Sequence, residues 1–476
     1  MSENVVNSNE HNNEREGSSK AALSSLISTM LMSTLAVSIT NIALPALASS
    51  FDTTISAVSW VVIAYLVSVT TFIVGAGVLG DILGKKPLLL LGVGIFSFAS
   101  LMCALSLNLW MLVAARFIQG LGATFILSQT LAIASASFPK SKTGTVMGLL
   151  SSTAAIGTAL GPVVGGFLLD VFGWHSIFWV LFTLGGINLT LTSTLIPTEL
   201  FKYTGTVKQY DVIGTLLLGL SCLLYALSMT VLSTIAPLSS AVLFISAILV
   251  FRVFLISQRK GQFPLINLAF FHHALRNVTL ASTFLVDAVA MSTLVVGPYY
   301  LTYGLGLSVT KAGMLMAVGP VLAACSGYPS GKLVDVIGVK RVMLLGLSQM
   351  FIGVICFAFL PVRWGEYGYI AALFILAPGR QLFLASNHTF VMSSATKREK
   401  GLAAGVLNLV KNLGLMTGAS MMVGVFASQL KNANAAIATQ QELGAAFTST
   451  FLLAGVAIGA SLLSIYLFSN KASEFH

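Results

Sequence analysis

The stretch GVLGDILGKK, residues 77–86, returns in altered form as GKLVDVIGVKR, residues 331–341. The second copy begins 254 residues after the first, since Gly331 follows Gly77 by that distance. A repeat at this spacing predicts two similar halves, each with the motif in a tight turn between two helices. The residues shared by the two copies are Gly77, Asp81, Gly84 and Lys85 in the first and Gly331, Asp335 and Gly338 in the second, where Val339 replaces the lysine.

The composition around this repeat excludes an ordinary soluble protein. Of the 476 residues, 56% are apolar and 8% are charged, against about 45–50% and about 25% in soluble domains. The four cysteines lie singly in apolar runs without a C-x-x-C spacing, which argues against a zinc site or a disulfide framework. No nucleotide fingerprint is present either, so we expect neither a cofactor nor a metal.

Long apolar runs between short charged loops predict an all-α polytopic membrane protein with fourteen spans. An uncharged run of about 20 residues crosses a bilayer as a helix. Residues 1–20 are polar and lack the apolar core of a signal peptide, so a disordered cytoplasmic tail is expected there. The predicted spans are 21–46, 56–79, 87–106, 109–137, 144–169, 175–197, 212–232, 235–257, 277–303, 312–331, 342–360, 368–394, 402–428 and 446–469.

The basic residues distinguish the two faces of this predicted bundle. Of the 25 lysines and arginines, 19 fall in the tail and in loops on the side of the termini, and three fall in the opposite loops. Such an excess is typical of cytoplasmic loops. Both termini are therefore expected on the cytoplasmic side of a cytoplasmic (inner) membrane. The net charge of +10 is explained by this topology and indicates no nucleic-acid partner.

A second repeat supports the division into halves. Gly148, Gly157 and Gly161 recur 257 residues later as Gly405, Gly414 and Gly418. Transporters built from such repeats have a central site that opens alternately to each side. The predicted organisation is a tail at 1–20, a six-helix bundle at 21–197, a linker with two additional spans at 198–276 and a second six-helix bundle at 277–470.

These motifs resemble those of the major facilitator superfamily. Residues 77–86 are similar to its loop motif G-x-L-x-D-R-x-G-R-K, with Ile82 at the usual arginine. Residues 116–123, RFIQGLGA, resemble its proton-linked R-x-x-Q-G motif, and residues 157–166, GTALGPVVGG, resemble its antiporter motif. With fourteen predicted spans, the most similar subgroup is the fourteen-spanner drug:proton antiporter family. The resemblance implies the major facilitator fold, a monomer, and a secondary transporter that exchanges drugs or metabolites for protons.

Each motif has a physical role that its residue types suggest. Asp81 and Asp335 can accept backbone N–H groups at a helix N-terminus and so hold two helices together as a gate, or they can simply mark topological turns. Gly157, Gly161 and Gly165 lie on one helix face and allow close packing, with Pro162 as a bend between them. The resemblance places this face against the other half, where it would seal the exchange pathway; generic helix packing is the alternative.

Four ionisable residues are predicted deep within spans, where charges are costly and are functional candidates. Asp287 is the only carboxylate among them and is expected to load and release a proton, unless it forms a structural ion pair with one of the three cations. The resemblance implies a part in proton coupling for Arg116 also, with snorkelling to the interface as the alternative. The other two, Arg380 and Lys411, are expected to bind substrate.

Further polar residues within spans are expected along the substrate path or in hydrogen bonds between helices; they are Asn41, Tyr65, Gln119 and Asn408. The subgroup usually carries an acid in the first span, where this chain has Ala36. The four deep ionisable groups sum to +2, and unpaired positive charge repels a cation. The alternative is therefore import or export of an anionic solute such as a siderophore or an organic acid.

A polytopic enzyme or sensor is a remote alternative. It would need a cluster of histidine, cysteine or acidic residues at one membrane face, and the loops are short. We expect no enzymatic activity, and expect a small-molecule substrate, protons and the lipid bilayer as the partners of the chain.

Overall fold

The protein, seen in a computed structural model, is a bundle of long helices. Successive helices run back and forth between the two ends of the bundle. The backbone is described for residues 2–138, 140–196, 210–232, 237–394, 400–430 and 435–471. Within these ranges the side chains of residues 2–20, 140–145, 231–232, 237, 269, 400–401 and 469–471 are not described. Two short helical turns, Ile55–Val58 and Leu268–His272, lie between the long helices.

Fourteen long helical segments are described. They are α1 (Ser2–Ser50), α2 (Trp60–Leu83), α3 (Lys85–Ala104), α4 (Leu109–Ser137), α5 (Lys140–Phe172), α6 (His175–Leu195), α7 (Val212–Leu232), α8 (Pro237–Lys260), α9 (Ala274–Tyr299, extended by the π-helical turn Tyr300–Gly304), α10 (Val309–Ile337), α11 (residues 339–364), α12 (residues 366–393), α13 (Lys400–Thr417, extended by the π-helical turn Gly418–Met422 and the helix Val423–Ser428) and α14 (Gln440–Lys471).

The separation of α11 from α12 rests on one glycine. Val339–Ser393 contains two helices that are joined directly at a kink, where Gly365 has φ 55° and ψ −132°, a conformation that no helix adopts. As a straight helix, 55 residues would extend about 80 Å, far beyond the hydrocarbon core of about 30 Å. The two arms instead run antiparallel and in close contact. A Cβ on Gly346 would lie 2.5 Å from Phe383 N, and one on Gly353 would lie 2.7 Å from Leu376 Cα.

The fourteen predicted spans are confirmed within the described part of the chain. Thirteen helices are long and apolar enough to cross a membrane, and Val339–Ser393 supplies two crossings. At the N-terminus, α1 begins at Ser2, so residues 2–20 continue the helix of the first span where the sequence predicts a disordered tail. Once an apolar segment has nucleated a helix, each further residue adds a backbone hydrogen bond. Side chains are described from Ala21 onward.

The two six-helix halves repeat each other at the level of single residues. Gly84 (φ 90°, ψ 140°) precedes α3 and Gly338 (φ 85°, ψ 157°) precedes α11, so both motif turns have the same positive-φ backbone. A Cβ on Gly157 would lie 2.9 Å from Leu31 O of α1, and a Cβ on Gly414 would lie 2.4 Å from Phe284 O of α9. In each half, therefore, the fifth helix packs closely against the first.

The two additional helices, α7 and α8, pack on each other, and α7 lies against both halves. A Cβ on Gly219 of α7 would lie 2.7 Å from Thr71 of α2, so these helices are in close contact. From the same helix the Tyr225 hydroxyl is 2.8 Å from Thr417 Oγ1 at the end of α13. Helix α7 thus spans the junction between α2 of the first half and α13 of the second.

The ends of the bundle differ in how closely the halves approach. We call the end with the turns at Gly84 and Gly338 the near face, and the end with Ser50, Phe172 and Val309 the far face. At the far face, a Cβ on Gly313 of α10 would lie 2.0 Å from Pro162 O of α5, so the two halves are in backbone contact.

Candidate functional site

A cavity of about 660 Å³ lies between the two halves. Its wall includes residues of α1, α2, α4 and α5 from the first half and of α9 to α13 from the second. It extends to Gly77 of α2 and Ala404 of α13, which lie close to the near-face ends of their helices. Because the halves are joined at the far face, the cavity opens toward the near face.

The charges on the cavity wall are all positive among the described residues. Arg380 of α12 and Lys411 of α13 line the cavity, and no aspartate or glutamate of the described chain does. The described wall residues of the first half are uncharged; apart from apolar groups they offer hydroxyls, such as those of Thr34, Tyr65 and Ser128. The site is therefore positive on one side and largely apolar on the other.

Arg380 connects the cavity to a buried carboxylate. Its Nη2 donates to Asp287 Oδ1 of α9 at 2.5 Å. The Arg380 side chain is 25% exposed, whereas that of Asp287 is 0% exposed. Asp287 Oδ2 and Arg380 Nε have no hydrogen-bond partner among the described residues. The pair thus uses one nitrogen and one oxygen and leaves hydrogen-bonding capacity on each side.

The position of Asp287 follows from the repeat. A Cβ on Gly414 of α13 would lie 3.2 Å from Asp287 Cβ, and a Cβ on Gly157 of α5 would lie 2.2 Å from Thr34 Oγ1. Asp287 therefore occupies in the second half the place that Thr34 occupies in the first. The second half thus has a carboxylate at the position where the first half has an uncharged hydroxyl.

Two further groups accompany the ion pair. Lys411 lines the cavity and interacts electrostatically with both Asp287 and Arg380. His388 of α12 interacts electrostatically with the same three residues. One helical turn along α9 from Asp287, the Asn387 amide donates to Thr283 Oγ1 at 2.6 Å, which ties α12 to α9 beside the ion pair.

The structure divides the predicted substrate-binding residues. Tyr65 and Asn408 line the cavity with Arg380 and Lys411. The expectation that Asn41 and Gln119 lie along the substrate path is wrong for this structure, because both are fully buried outside the cavity wall. The Gln119 amide donates to Ser100 Oγ at 2.7 Å, so the alternative of a hydrogen bond between helices applies to it.

Arg116, assigned by resemblance to proton coupling, is buried inside the first half and does not line the cavity. Its Nε donates to Val61 O at 3.0 Å, and Nη1 donates to Gln119 Oε1. Its guanidinium carbon lies 4.4 Å from the centre of the Tyr65 ring. Through Gln119 and Ser100, Arg116 thus connects α2, α3 and α4. No carboxylate bonds to it among the described residues, and its contact with the cavity passes through the Tyr65 ring.

The predicted gating motif lies in the near-face turns. Gly77 lines the cavity, and a Cβ on Gly77 or on Gly331 would meet no atom within 4 Å. Asp81 and Asp335 are exposed, and neither carboxylate makes a hydrogen bond or an ion pair to a described residue. Lys85 begins α3. Gates at these carboxylates would be disengaged in this conformation, in which the near face is open.

The antiporter-like glycines lie in a different place from the one that the resemblance implied. Gly157, Gly161 and Gly165 face α1 of their own half: a Cβ on Gly161 would lie 1.9 Å from Ser38 Oγ, and one on Gly165 would lie 2.7 Å from Ile42. The expected contact of these glycines with the other half is therefore wrong. Pro162, through its carbonyl, does meet α10 of the second half, because the other face of α5 points there.

The far-face closure contains residues that the sequence did not single out. The Asp170 carboxylate, at the end of α5, accepts from Thr310 N at 2.9 Å and from Thr310 Oγ1 at the first turn of α10. Nearby, the Tyr303 hydroxyl is 2.8 Å from Ser49 Oγ and donates to Pro45 O at 3.3 Å. An acid at the end of one span and a threonine at the start of another are the available sequence signals.

The sequence comparisons agree with this architecture. A family profile described as Major Facilitator Superfamily matches residues 26–419 and residues 279–473. The chain belongs to the major facilitator superfamily. This superfamily consists of membrane transporters. The relatives of this chain include multidrug resistance and drug-efflux proteins, which supports the resemblance to drug:proton antiporters that the motifs indicated.

Individual relatives have different cargoes. The chain is 30% identical over 405 residues to the riboflavin transporter RibZ of Clostridioides difficile, an alignment that covers 84% of this chain and 87% of that protein. It is 27% identical over 395 residues to the multidrug resistance protein Stp of Mycobacterium tuberculosis, covering 82% of this chain and 73% of that protein. The family therefore fixes transport of a small molecule across a membrane and leaves the cargo open.

Solved structures share the fold at low sequence identity. The nucleoside transporter NupG superimposes with a TM-score of 0.67 at 14% identity, covering 93% of this chain and 99% of that chain. A bacterial homologue of the human lysosomal transporter Spinster, in an inward-facing and occupied conformation, superimposes with a TM-score of 0.66 at 14% identity, covering 94% and 96%. These similarities confirm the major facilitator fold predicted from the sequence.

Proposed function

We propose that this protein is a secondary active transporter of a small organic anion and that Arg380 and Lys411 bind the negative group. One observation carries the proposal: both charged residues on the described cavity wall are cations. An anion gains from this positive region, whereas a cation meets a repulsive energy that grows as water is excluded. The uncharged wall of the first half suits an apolar body on the same solute.

Export of cationic drugs is the second candidate, because drug-efflux proteins are among the relatives. It requires an acid that a cation can approach from the cavity. Asp287 is fully buried behind Arg380, and the first span carries Ala36 where an acid is usual. The charge distribution therefore favours the anion over the cation.

The rest of the proposal concerns topology and energy source. The near face carries most of the lysines and arginines and is assigned to the cytoplasm of a cytoplasmic (inner) membrane, which makes this conformation open to the cytoplasm. The carrier works as a monomer by alternating access, with a proton gradient as its energy source and Asp287 as the proton-binding group. Asp81 and Asp335 serve as near-face gates in the alternate state.

Charge-matched binding tests the proposal. Purified protein in detergent is titrated with naphthalenesulfonate and with naphthyltrimethylammonium, which share an apolar body and differ in charge. The sulfonate should bind and the ammonium should not. Arg380→Gln should weaken sulfonate binding by about 10- to 100-fold, the loss of a hydrogen bond to a charged group. Arg252→Gln, which removes an exposed guanidinium from α8, is the matched control and should leave binding unchanged. Binding of the ammonium alone would overturn the proposal.

A further inference from the structure

Arg380 faces the cavity and a buried carboxylate at the same time. Its side chain is 25% exposed, and the Asp287 side chain with which it pairs is 0% exposed. An anion that enters the cavity therefore reaches the guanidinium without displacing any described side chain. It then competes with Asp287 for the same positive charge.

The Asp287 carboxylate has little support apart from Arg380. Its Oδ1 accepts the single bond from Arg380 Nη2 at 2.5 Å, and its Oδ2 has no partner among the described residues. Backbone at Gly414 closes over the same side chain, since a Cβ there would lie 3.2 Å from Asp287 Cβ. A buried carboxylate that loses its cation is costly, and protonation removes most of that cost.

The charges around Asp287 can be counted helix by helix. Of the elements packed against α9, α12 brings Arg380 and His388 and α13 brings Lys411. The described side chains of α1 and the π-helical turn Gly418–Met422 bring no charge. The remaining charged or titratable histidine, acidic and basic residues on packed elements lie toward the ends of those elements. They are Lys311, Lys332 and Asp335 on α10, Lys340, Arg341 and Arg363 on α11, Glu366 on α12, Lys400 on α13, Glu442 and Lys471 on α14, and His272 on the turn Leu268–His272.

Among the described side chains, Asp287 is thus the only acid in a cluster whose ionised state, with His388 neutral, sums to +1. An added anion lowers the electrostatic potential at Asp287 and draws positive charge of Arg380 away from it, and both effects favour a proton on Oδ2. Thermodynamic coupling is reciprocal, so a proton on Asp287 must favour the anion to the same degree. A cationic solute would have the opposite sign and would exclude the proton.

We propose, on the basis of the function proposed above, that the organic anion and a proton bind together and cross the membrane together, with the proton on Asp287 and the anion on Arg380. The protein is then a symporter. A monovalent anion would be carried without net charge, and a proton gradient directed toward the near face would drive the anion to that side. This reverses the exchange suggested by the glycine motif, whose glycines pack inside one half.

The test measures whether anion binding takes up or releases a proton. Naphthalenesulfonate remains ionised throughout, so any proton that moves belongs to the protein. Calorimetric titrations of the full-length protein in two buffers of different ionisation enthalpy give the number of protons exchanged. We expect net proton uptake when the anion binds, and therefore an apparent affinity that rises as the pH falls.

Substitutions then locate the proton. Asp287→Asn should bind naphthalenesulfonate at least as tightly as the wild type, without proton uptake and without pH dependence, because the amide needs no proton to release Arg380. Asp52→Asn removes an exposed carboxylate at the far face and should behave as wild type. The wild-type titration decides the sign even if Asp287→Asn does not fold.

The outcomes are distinguishable. Proton release on anion binding, or an affinity independent of pH in the wild type, would overturn symport while leaving the anion function standing. Proton uptake that persists in Asp287→Asn would overturn the assignment to this residue. Failure of naphthalenesulfonate to bind at any pH would overturn the proposed function itself.

Discussion

The far-face closure should weaken when Asp170 is replaced by asparagine. The carboxylate accepts Thr310 N at 2.9 Å and Thr310 Oγ1, and it lies at the N-terminus of α10, where negative charge is favourable. Asp170 is exposed, so we count about 0.5–1 kcal/mol for each hydrogen bond and about 0.5 kcal/mol for the helix dipole. Both bonds go to the same oxygen, Oδ2, so an asparagine amide oxygen can still accept them, but the charge that strengthens both bonds and interacts with the helix dipole is lost. The net loss of about 1 kcal/mol shifts the ratio of far-face-closed to far-face-open protein about fivefold.

Distance distributions between two spin labels measure this ratio. Leu107 and Ile437 are 88% and 64% exposed at the far-face ends of the first and second halves, and each is replaced by a labelled cysteine. Cys325 and Cys356, the native cysteines that are not buried, are replaced by serine. Asp170→Asn should raise the population of the longer distance.

The control for this experiment is Asp52→Asn, which removes a far-face carboxylate that makes no side-chain hydrogen bond to a described residue. It should leave the distribution unchanged. An unchanged distribution in Asp170→Asn, or an equal shift in the two variants, would refute the assignment of Asp170 as a latch.

Three further substitutions test the packing of the helices. Gly161→Ala places a Cβ 1.9 Å from a serine oxygen of α1 and should lower the free energy of unfolding by about 1–3 kcal/mol. The control Gly148→Ala, with no atom within 4 Å of its Cβ, should not lower it. Equal thermal stability of the two variants would contradict close packing. Arg116→Gln should destabilise the protein by about 2–4 kcal/mol, since it leaves buried acceptors without donors. It should not change the pH dependence of anion binding, and the exposed control is Arg252→Gln. A changed pH dependence in Arg116→Gln would assign Arg116 to proton coupling after all. Tyr225→Phe removes the hydrogen bond from α7 to the second half and should change the spin-label populations by a factor of about 2–10, for a bond of about 0.5–1.5 kcal/mol; no change would mean that α7 only rests against that half.

Much of the fold was predictable because a bilayer restricts the choices. Uncharged runs long enough to cross it must be helices, and Gly84 and Gly338 indicated the repeat that the backbone confirms. Gly365 is the instructive detail: the chain turns there without a long polar loop between the two apolar runs. The sequence still separated the two spans, because a short charged loop that contains Arg363 lies between the apolar runs 342–360 and 368–394.

The site was predictable in part. Charges within spans are costly, so Asp287, Arg380 and Lys411 could be named from their positions alone, although the choice of cation that pairs with Asp287 could not. Asn41 and Gln119 show the limit. Whether a polar residue faces the cavity or a neighbouring helix depends on the rotation of its helix, and in a helix that is apolar on every side the sequence does not indicate that rotation.

Contacts between the halves were the least predictable. Asp170 and Thr310 are 140 residues apart and belong to different halves. Neither residue is unusual at the end of a span, and only the packing of α5 on α10 brings them together. The same packing explains why Gly161 faces α1 while Pro162, one residue later, faces the second half.

Transport into proteoliposomes under an imposed pH gradient tests the central claim most directly. Protein reconstituted in both orientations is supplied with radiolabelled naphthalenesulfonate outside, with the lumen alkaline relative to the medium. The anion should accumulate above its external concentration in wild-type vesicles and in vesicles with Arg252→Gln. With Asp287→Asn the anion should only equilibrate, and with Arg380→Gln it should fail to enter. Accumulation of naphthyltrimethylammonium when the pH gradient is reversed, so that the lumen is acidic, with no movement of the sulfonate under either gradient, would contradict both the anionic cargo and its coupling to the proton.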